Sequence, residues 1–268
     1  MTHNKWEVLR SHLRKMESVV VAYSGGVDSS FLLKVAHDTL GERCLGITAA
    51  SETYPEEELS AATEVANLIG ANHRIITTQE LENGQFARNP VDRCYYCKSE
   101  LFGKLKQIAQ AEGFAFVLDG TNADDVMDYR PGLRAGHELG VHSPLKDVGL
   151  TKVEIRQLSK DFGLPTWNKP SLACLSSRIP YGEEITQNKL RRIDQAEAFL
   201  RSLGFYELRV RYHNHVARLE IPRQDFGRLL DSHMKSIVVK LKELGFVYIT
   251  LDLEGLRSGS MNEALPIG

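Results

Sequence analysis

The sequence predicts an α/β protein with a doubly wound parallel sheet, followed by a second, smaller α+β domain. Three observations carry this. An apolar run at residues 18–23 passes through Ser24-Gly25-Gly26-Val27-Asp28-Ser29 straight into a helical pattern at Phe31, Leu32, Val35 and Ala36. Strand and helix patterns then alternate as far as Phe162. After Gly163-Leu164-Pro165 the periodicity changes, and ELRVRYH and VARLEIP form an alternating pair around Asn214, the pattern of a β-hairpin. The 268 residues suffice for one large domain or two small ones.

The elements follow in order. The first 16 residues read as an amphipathic helix with Trp6, Leu9, Leu13 and Met16 on one side; they lack the apolar core of a signal peptide, so a cytoplasmic location is expected. Residues 43–49 are a second strand. Pro55 with Glu56, Glu57 and Glu58 opens a helix, since proline suits a first turn and acids suit its positive end. That helix stops at Gly70. A third strand covers residues 73–77, and residues 78–97 read as an irregular loop holding Cys94-Tyr95-Tyr96-Cys97. A helix over 98–112 ends at Gly113. Residues 114–118 are a fourth strand, with Asp119-Gly120-Thr121-Asn122 at the carboxyl end, where α/β sheets bind ligands. A short helix near 133–138 precedes Thr151-Lys152-Val153-Glu154, a capping box opening a helix to about residue 162.

Residues 167–182 form a proline-bearing loop, and a helix over 186–203 stops at Gly204. The hairpin, a helix near 232–244 and a strand over 248–253 complete the chain. The expected domains are 1–168, a cysteine-bearing loop 169–184, and 185–268.

The turn after the first strand has its own chemistry. Two glycines let the backbone bend sharply and let an anion reach its N–H groups. The following helix adds its positive end, and Ser24 and Ser29 add hydroxyl donors. This makes a pyrophosphate cradle. It contains no lysine, unlike the Walker loop. The plain alternative is a strand-to-helix turn capped by Ser29 or Asp28. Asp28 is the carboxylate to hold Mg²⁺ against phosphates.

Four cysteines in a reducing compartment favour metal or catalytic use over disulfides. Cys44 opens a strand and reads as core. Cys94 and Cys97 have the spacing of zinc or iron–sulfur ligands, and spacing leaves both open. Cys174 is the natural third ligand, or a structural zinc could take His73, His137 or His142. A redox pair lacks its strand–helix context. Hydrophobic content of 42%, charged content of 25% and a net charge of −2 fit an ordinary globular protein. No apolar run approaches a membrane span. No polybasic tail marks a nucleic-acid binder, so a small-molecule partner is expected.

SGGVDSS resembles the pyrophosphate loop of the PP-loop ATP pyrophosphatases, with an adenine nucleotide alpha hydrolase-like fold. These split ATP to AMP and pyrophosphate while adenylating a substrate oxygen. Together with DGTNADDVMDYRPGL, WNKPSLACLSSRIPYG, LRVRYHN and LDLEGLRSGSMN, it makes residues 18–262 resemble the LarE family. Those are ATP-dependent sulfur transferases that help build the nickel-pincer nucleotide cofactor of lactate racemase. The resemblance implies adenylation of a carboxylate of pyridinium-3,5-biscarboxylic acid mononucleotide, then attack by sulfur to leave a thiocarboxylate. The family has two sulfur chemistries. One sacrifices the sulfur of a single cysteine at the position of Cys174, leaving dehydroalanine. The other holds a 4Fe–4S cluster on three cysteines and binds hydrosulfide, from sulfide or another donor, at the open iron. Cys94, Cys97 and Cys174 match the second.

The resemblance also implies the site residues. Cys174, Ser177, Arg178 and Glu197 surround sulfur transfer. Ser24, Gly25, Gly26, Val27, Asp28, Ser29 and Ser30, with Ser51, Gly120 and Arg130, bind ATP. Arg209, Arg211 and Arg257 bind the substrate phosphate; Asp225 is a looser match. From the residues alone, Arg209 and Arg211 would be a solvated hairpin face and Glu197 a surface acid. Asp124, Asp125 and Asp128 read as solvated loop acids. A homo-oligomer, a hexamer, is implied by resemblance only. Competing classes are a tRNA-thiolating PP-loop enzyme and a non-catalytic nucleotide binder with structural zinc.

Overall fold

The computed structural model describes residues 2–127, 131–170, 173–257 and 259–264. The chain divides into two compact units, residues 1–80 with 92–172, and residues 81–91 with 173–268.

The first unit is built on four parallel strands, β1 (Val19–Ala22), β2 (Cys44–Ala50), β3 (Asn72–Thr77) and β4 (Phe116–Leu118), in the order β3-β2-β1-β4. The chain runs outward from β1 to β2 and β3, then returns to place β4 on the far side of β1. The reversal puts the topological switch point beside β1, where open parallel sheets bind ligands. Apolar side chains cover both faces. Phe31, Leu32, Val35 and Ala36 of the helix Val27–Leu40 pack with Leu9 and Leu13 of the helix Thr2–Met16. Phe102, Leu105 and Ala109 of the helix Arg93–Glu112 pack with Val20, Ile47 and Val117. Each fully buried side chain of this size contributes roughly 1.5–3 kcal/mol.

One expectation for this unit is corrected. Residues 78–97 are not an irregular loop throughout, because Cys94 and Cys97 lie in the first turns of the helix Arg93–Glu112. Full apolar burial in that helix begins only at Phe102, so its first turns carry a weak apolar signal. They are held by Tyr95, which packs partly buried against the same cluster and whose hydroxyl donates to Glu138 at 2.6 Å on the helix Pro131–Glu138. The predicted capping box is present: Thr151 and Glu154 exchange bonds at the start of the helix Lys152–Asp161.

The second unit carries the helix Gln187–Ser202, capped by Thr186, and the strands β5 (Arg209–His213), β6 (Val216–Glu220) and β7 (Tyr248–Leu251). β5 and β6 are antiparallel across a turn in which Asn214 takes φ 53°, and β7 pairs parallel to β6 after the helix Met234–Glu243. Residues 81–91 join this unit through buried Asn89. Its amide donates to the carbonyls of Ile179 and Pro180, and its own carbonyl accepts from Gly182 N–H. Among the described residues no helix is long and apolar enough to cross a membrane.

Candidate active site

The loop at the carboxyl end of β1 is shaped by its neighbours. Gly25 takes φ +63°, and a Cβ there would lie 2.7 Å from Ala62 Cβ, so no other residue fits without displacing the helix Glu56–Ile69. Ser29 Oγ accepts from Ser24 N–H at 3.2 Å and lies 3.1 Å from Ser24 Oγ, which closes the turn. Gly26 caps the helix that starts at Val27, so the first N–H groups of that helix lack intrahelical partners. Gly120, from the segment after β4, packs directly on the loop: a Cβ there would meet Ser29 N at 3.0 Å. Ser51 follows β2, its hydroxyl 2.9 Å from that of Thr53. Ser30 is fully buried, and its N–H donates to Gly26 O within the helix. Arg130 and Asp128 lie outside the described residues.

A cradle without lysine describes the local chain and not the space around it. Lys152 Nζ forms an ion pair with Asp28 Oδ2, while Asn122 Nδ2 donates to Asp28 Oδ1 at 3.3 Å. Lys169 Nζ donates to Gly25 O at 3.1 Å and pairs with Glu58 at 2.7 Å. Sequence reasoning missed both lysines. The sequence shows Lys152 only as part of a capping box, and 124 residues separate it from Asp28. As a hard oxygen donor beside the cradle, Asp28 fits a Mg²⁺ ligand in kind, once Lys152 releases it. Asp125 is buried and accepts from Asn122 N–H at 3.0 Å, so it is not a solvated loop acid.

In the second unit Cys174 precedes a short helical turn, Leu175–Arg178. Arg178 is 1% exposed. Its Nε and Nη2 donate to the two carboxylate oxygens of Glu197 at 2.8 and 3.0 Å. Its Nη1 donates to the carbonyls of Ala173 and Cys174 at 2.6 and 3.1 Å and to Ser177 Oγ at 3.0 Å. Glu197 is therefore no surface acid: it is 1% exposed and also accepts from Val210 N–H at 3.0 Å. Burial pushes its carboxyl up, but the Arg178 charge and these hydrogen bonds outweigh burial and hold it below the ordinary value.

Arg211 is buried, pairs with Glu220 at 2.8 Å, and donates to Ser177 O and Ser260 Oγ at 3.0 Å each. That is no solvated hairpin face. Burial, then the Arg178 charge, pushes the half-buried Arg209 guanidinium down to about 10. Arg257 is more open and pairs with Glu263, Glu254 and Asp252. Asp225 pairs with Arg228. Glu220 and Ser260 organise Arg211; the sequence shows Ser260 only as part of the LDLEGLRSGSMN segment, and Glu220 only as an acid on the hairpin.

None of the four cysteines is in a disulfide. Cys44 is buried, as expected, and burial pushes its thiol up to about 12. Cys94 and Cys97 sit three apart on one helix, next to each other on its surface. The carboxylate of buried Glu80 lies 3.8 Å from Cys97 Sγ. Thiol donors on adjacent positions fit an iron–sulfur or zinc centre in kind. Among the described residues no group of three or more His, Cys, Asp or Glu is gathered to hold a metal ion.

A parallel sheet carrying a Gly-Gly anion loop at its switch point, flanked by an acid and lysines, defines a PP-loop ATP pyrophosphatase. The family described as asparagine synthase matches residues 7–193. The chain is 45% identical to an uncharacterized protein of Synechocystis, covering 99% of each. It is 40% identical to the pyridinium-3,5-bisthiocarboxylic acid mononucleotide synthase of Lactiplantibacillus plantarum, covering 97% of this chain and 95% of that one. It is 30% identical to an uncharacterized protein of Methanocaldococcus jannaschii, covering 91% of this chain and 92% of that one. The chain belongs to the LarE family, that of the Lactiplantibacillus synthase, within the PP-loop class.

Proposed function

We propose that the chain is a cytoplasmic ATP-dependent sulfur transferase that converts the carboxylates of pyridinium-3,5-biscarboxylic acid mononucleotide to thiocarboxylates. The product would serve nickel-pincer nucleotide synthesis. The observation that carries the reading is the cradle at the end of β1 with Asp28 and Lys152 at its mouth. Its membership in the family of a synthase named for the bisthiocarboxylic product supports the choice of substrate.

A carboxylate resists nucleophiles because its oxygen is a poor leaving group. In the first step a carboxylate oxygen attacks the α-phosphorus of ATP, the bond to the bridging oxygen breaks, and pyrophosphate departs. The loop N–H groups, Ser24, Ser29 and Lys152 stabilise charge on the departing phosphates. In the second step sulfur adds to the acyl carbon, the C–O bond to AMP breaks, and a thiocarboxylate remains. Two rounds give the bisthiocarboxylic product.

Asp28 would hold Mg²⁺, with Lys152 moving from the carboxylate to the phosphates. Ser51 and Gly120 would border the nucleotide. Arg209, Arg211 and Arg257 would take the substrate phosphate. Arg178 and Glu197 would fix the Cys174 turn, and Ser177 would lie beside it. Cys94, Cys97 and Cys174 would hold a 4Fe–4S cluster, which when bound supplies an iron for hydrosulfide. A homo-oligomer is proposed from the same family membership.

The test is anaerobic purification with iron and sulfide analysis of wild type and Cys97→Ala, followed by turnover with ATP, Mg²⁺, the biscarboxylic mononucleotide and sulfide. The expected wild type carries about four irons per chain, Cys97→Ala loses them, and each thiocarboxylate is matched by one AMP and one pyrophosphate. No iron and no broad visible absorbance would overturn the cluster. Loss of H₂S from Cys174 after a single turnover would assign sacrifice instead. No substrate-dependent pyrophosphate release would overturn the whole reading.

A further inference from the structure

Two side chains hold the carbonyls of the loop. Tyr54 Oη donates to the carbonyl oxygen of Ser24 at 2.7 Å, and Lys169 Nζ donates to that of Gly25 at 3.1 Å. Both donors are themselves fixed. Tyr54 is partly buried, and burial, followed by the nearby Glu58 carboxylate, raises its phenol so that it stays a protonated donor. The Lys169 ammonium is held by Glu58 at 2.7 Å. Glu58 stands in the first turn of the helix Glu56–Ile69, whose Ala62 abuts Gly25 and accepts from Tyr23 Oη at 2.9 Å.

A trans peptide unit is planar, and its C=O and N–H point in opposite directions. The Ser24 carbonyl shares a unit with the Gly25 N–H, and the Gly25 carbonyl shares one with the Gly26 N–H. Fixing each carbonyl oxygen on its donor therefore fixes the N–H of the same unit, pointing away from that donor. Glycine makes rotation of these units cheap. A rotated unit would turn a carbonyl oxygen, with its partial negative charge, toward the phosphates. The loop thus needs its carbonyls anchored from outside, and Tyr54 and Lys169 occupy those positions.

We infer that Tyr54 and Lys169 are positioning residues of the pyrophosphate loop, clamping the Ser24 and Gly25 carbonyls so that the Gly25 and Gly26 N–H groups face the phosphates. This rests on the ATP-dependent reading above. It assigns Lys169 to the loop backbone and not to the nucleotide.

The test is equilibrium binding of ATP, inorganic pyrophosphate and AMP to wild type, Tyr54→Phe, Lys169→Met and Lys169→Arg, with thermal melting of each. Tyr54→Phe removes one hydroxyl and keeps the packing. Each of Tyr54→Phe and Lys169→Met is expected to raise Kd for ATP and pyrophosphate about five- to tenfold. AMP, which lacks the pyrophosphate, stays within about twofold. Lys169→Arg recovers most of the loss, since a guanidinium can serve both Glu58 and a carbonyl. Unchanged ATP and pyrophosphate binding in Tyr54→Phe would overturn the clamp, because Lys169 would then act alone. Equal weakening of AMP would overturn it in favour of general disruption. Wild type that binds neither ATP nor pyrophosphate would overturn the ATP reading beneath it.

Discussion

Arg178 and Glu197 form a bidentate ion pair with each side chain 1% exposed, and the same guanidinium holds the peptide carbonyls on either side of Cys174. One arginine thereby ties the cysteine turn to the helix Gln187–Ser202. Breaking a buried pair strands a charge, at a cost of about 3–5 kcal/mol. Arg178→Met and Glu197→Gln are each expected to lower the urea midpoint by that measure. Arg178→Lys rescues little, because an ammonium cannot reproduce the fork of donors. A double-mutant cycle in urea checks the coupling; additive losses would sink the pairing.

Glu197 also predicts an acid limb. Its carboxyl is held below the ordinary value, so its contribution is fully present above the unfolded value and is lost as pH falls through the folded one. Stability should be level near neutrality and fall below about pH 4. Glu197→Gln should flatten that limb. The protection factor of the Val210 amide, whose N–H donates to Glu197, is the local readout and should fall on acidification in wild type once the intrinsic pH dependence of exchange is divided out.

Glycine sets the cradle at two places. Gly25→Ala would drive a Cβ to 2.7 Å of Ala62 Cβ at positive φ, and Gly120→Ala would press on Ser29 N at 3.0 Å. Gly25→Ala is expected to cost about 1–3 kcal/mol and to abolish pyrophosphate binding. Gly120→Ala should spare the fold and weaken ATP. Calorimetric melting and ATP titration separate the two effects.

The sequence carries what is periodic or local. The β1–loop–helix unit, the capping box at Thr151, the stop at Gly70 and the hairpin at Asn214 each follow from spacing and turn chemistry within a dozen residues. The CYYC helix start is hidden because full apolar burial in that helix begins only at Phe102, and Tyr95, partly buried against the same cluster, is too isolated to set a period. Lys152, Lys169 and Ser260 are illegible for a different reason. Each acquires its role from a partner far along the chain, Asp28, Gly25 and Arg211 respectively, and a charged or polar residue on a helix or loop reads locally as a solvated one. Glu220 meets Arg211 across the hairpin, but an acid on a strand reads locally as solvated too. The same limit leaves Glu197 readable from its residues only as a surface acid.

The Asp28–Lys152 pair yields the last prediction. Without a nucleotide the ammonium neutralises the carboxylate, and Asn122 steadies its other oxygen. Bringing in phosphates offers Lys152 a stronger partner and leaves Asp28 available to a cation, so the two charges should separate as ATP and Mg²⁺ enter. Lys152→Met is then expected to lower kcat for pyrophosphate release by about 10²–10³ with a smaller change in KM for ATP, as removal of a group that meets charge mainly as it develops. Asp28→Asn keeps shape and the Asn122 contact but loses the charge. It should demand a much higher Mg²⁺ concentration for the residual rate. If Lys152→Met instead raised KM alone, the lysine would be holding ground and transition states equally. A Mg²⁺ titration of wild type, Lys152→Met and Asp28→Asn at saturating ATP distinguishes these outcomes, because only the Asp28 variant should shift the Mg²⁺ midpoint.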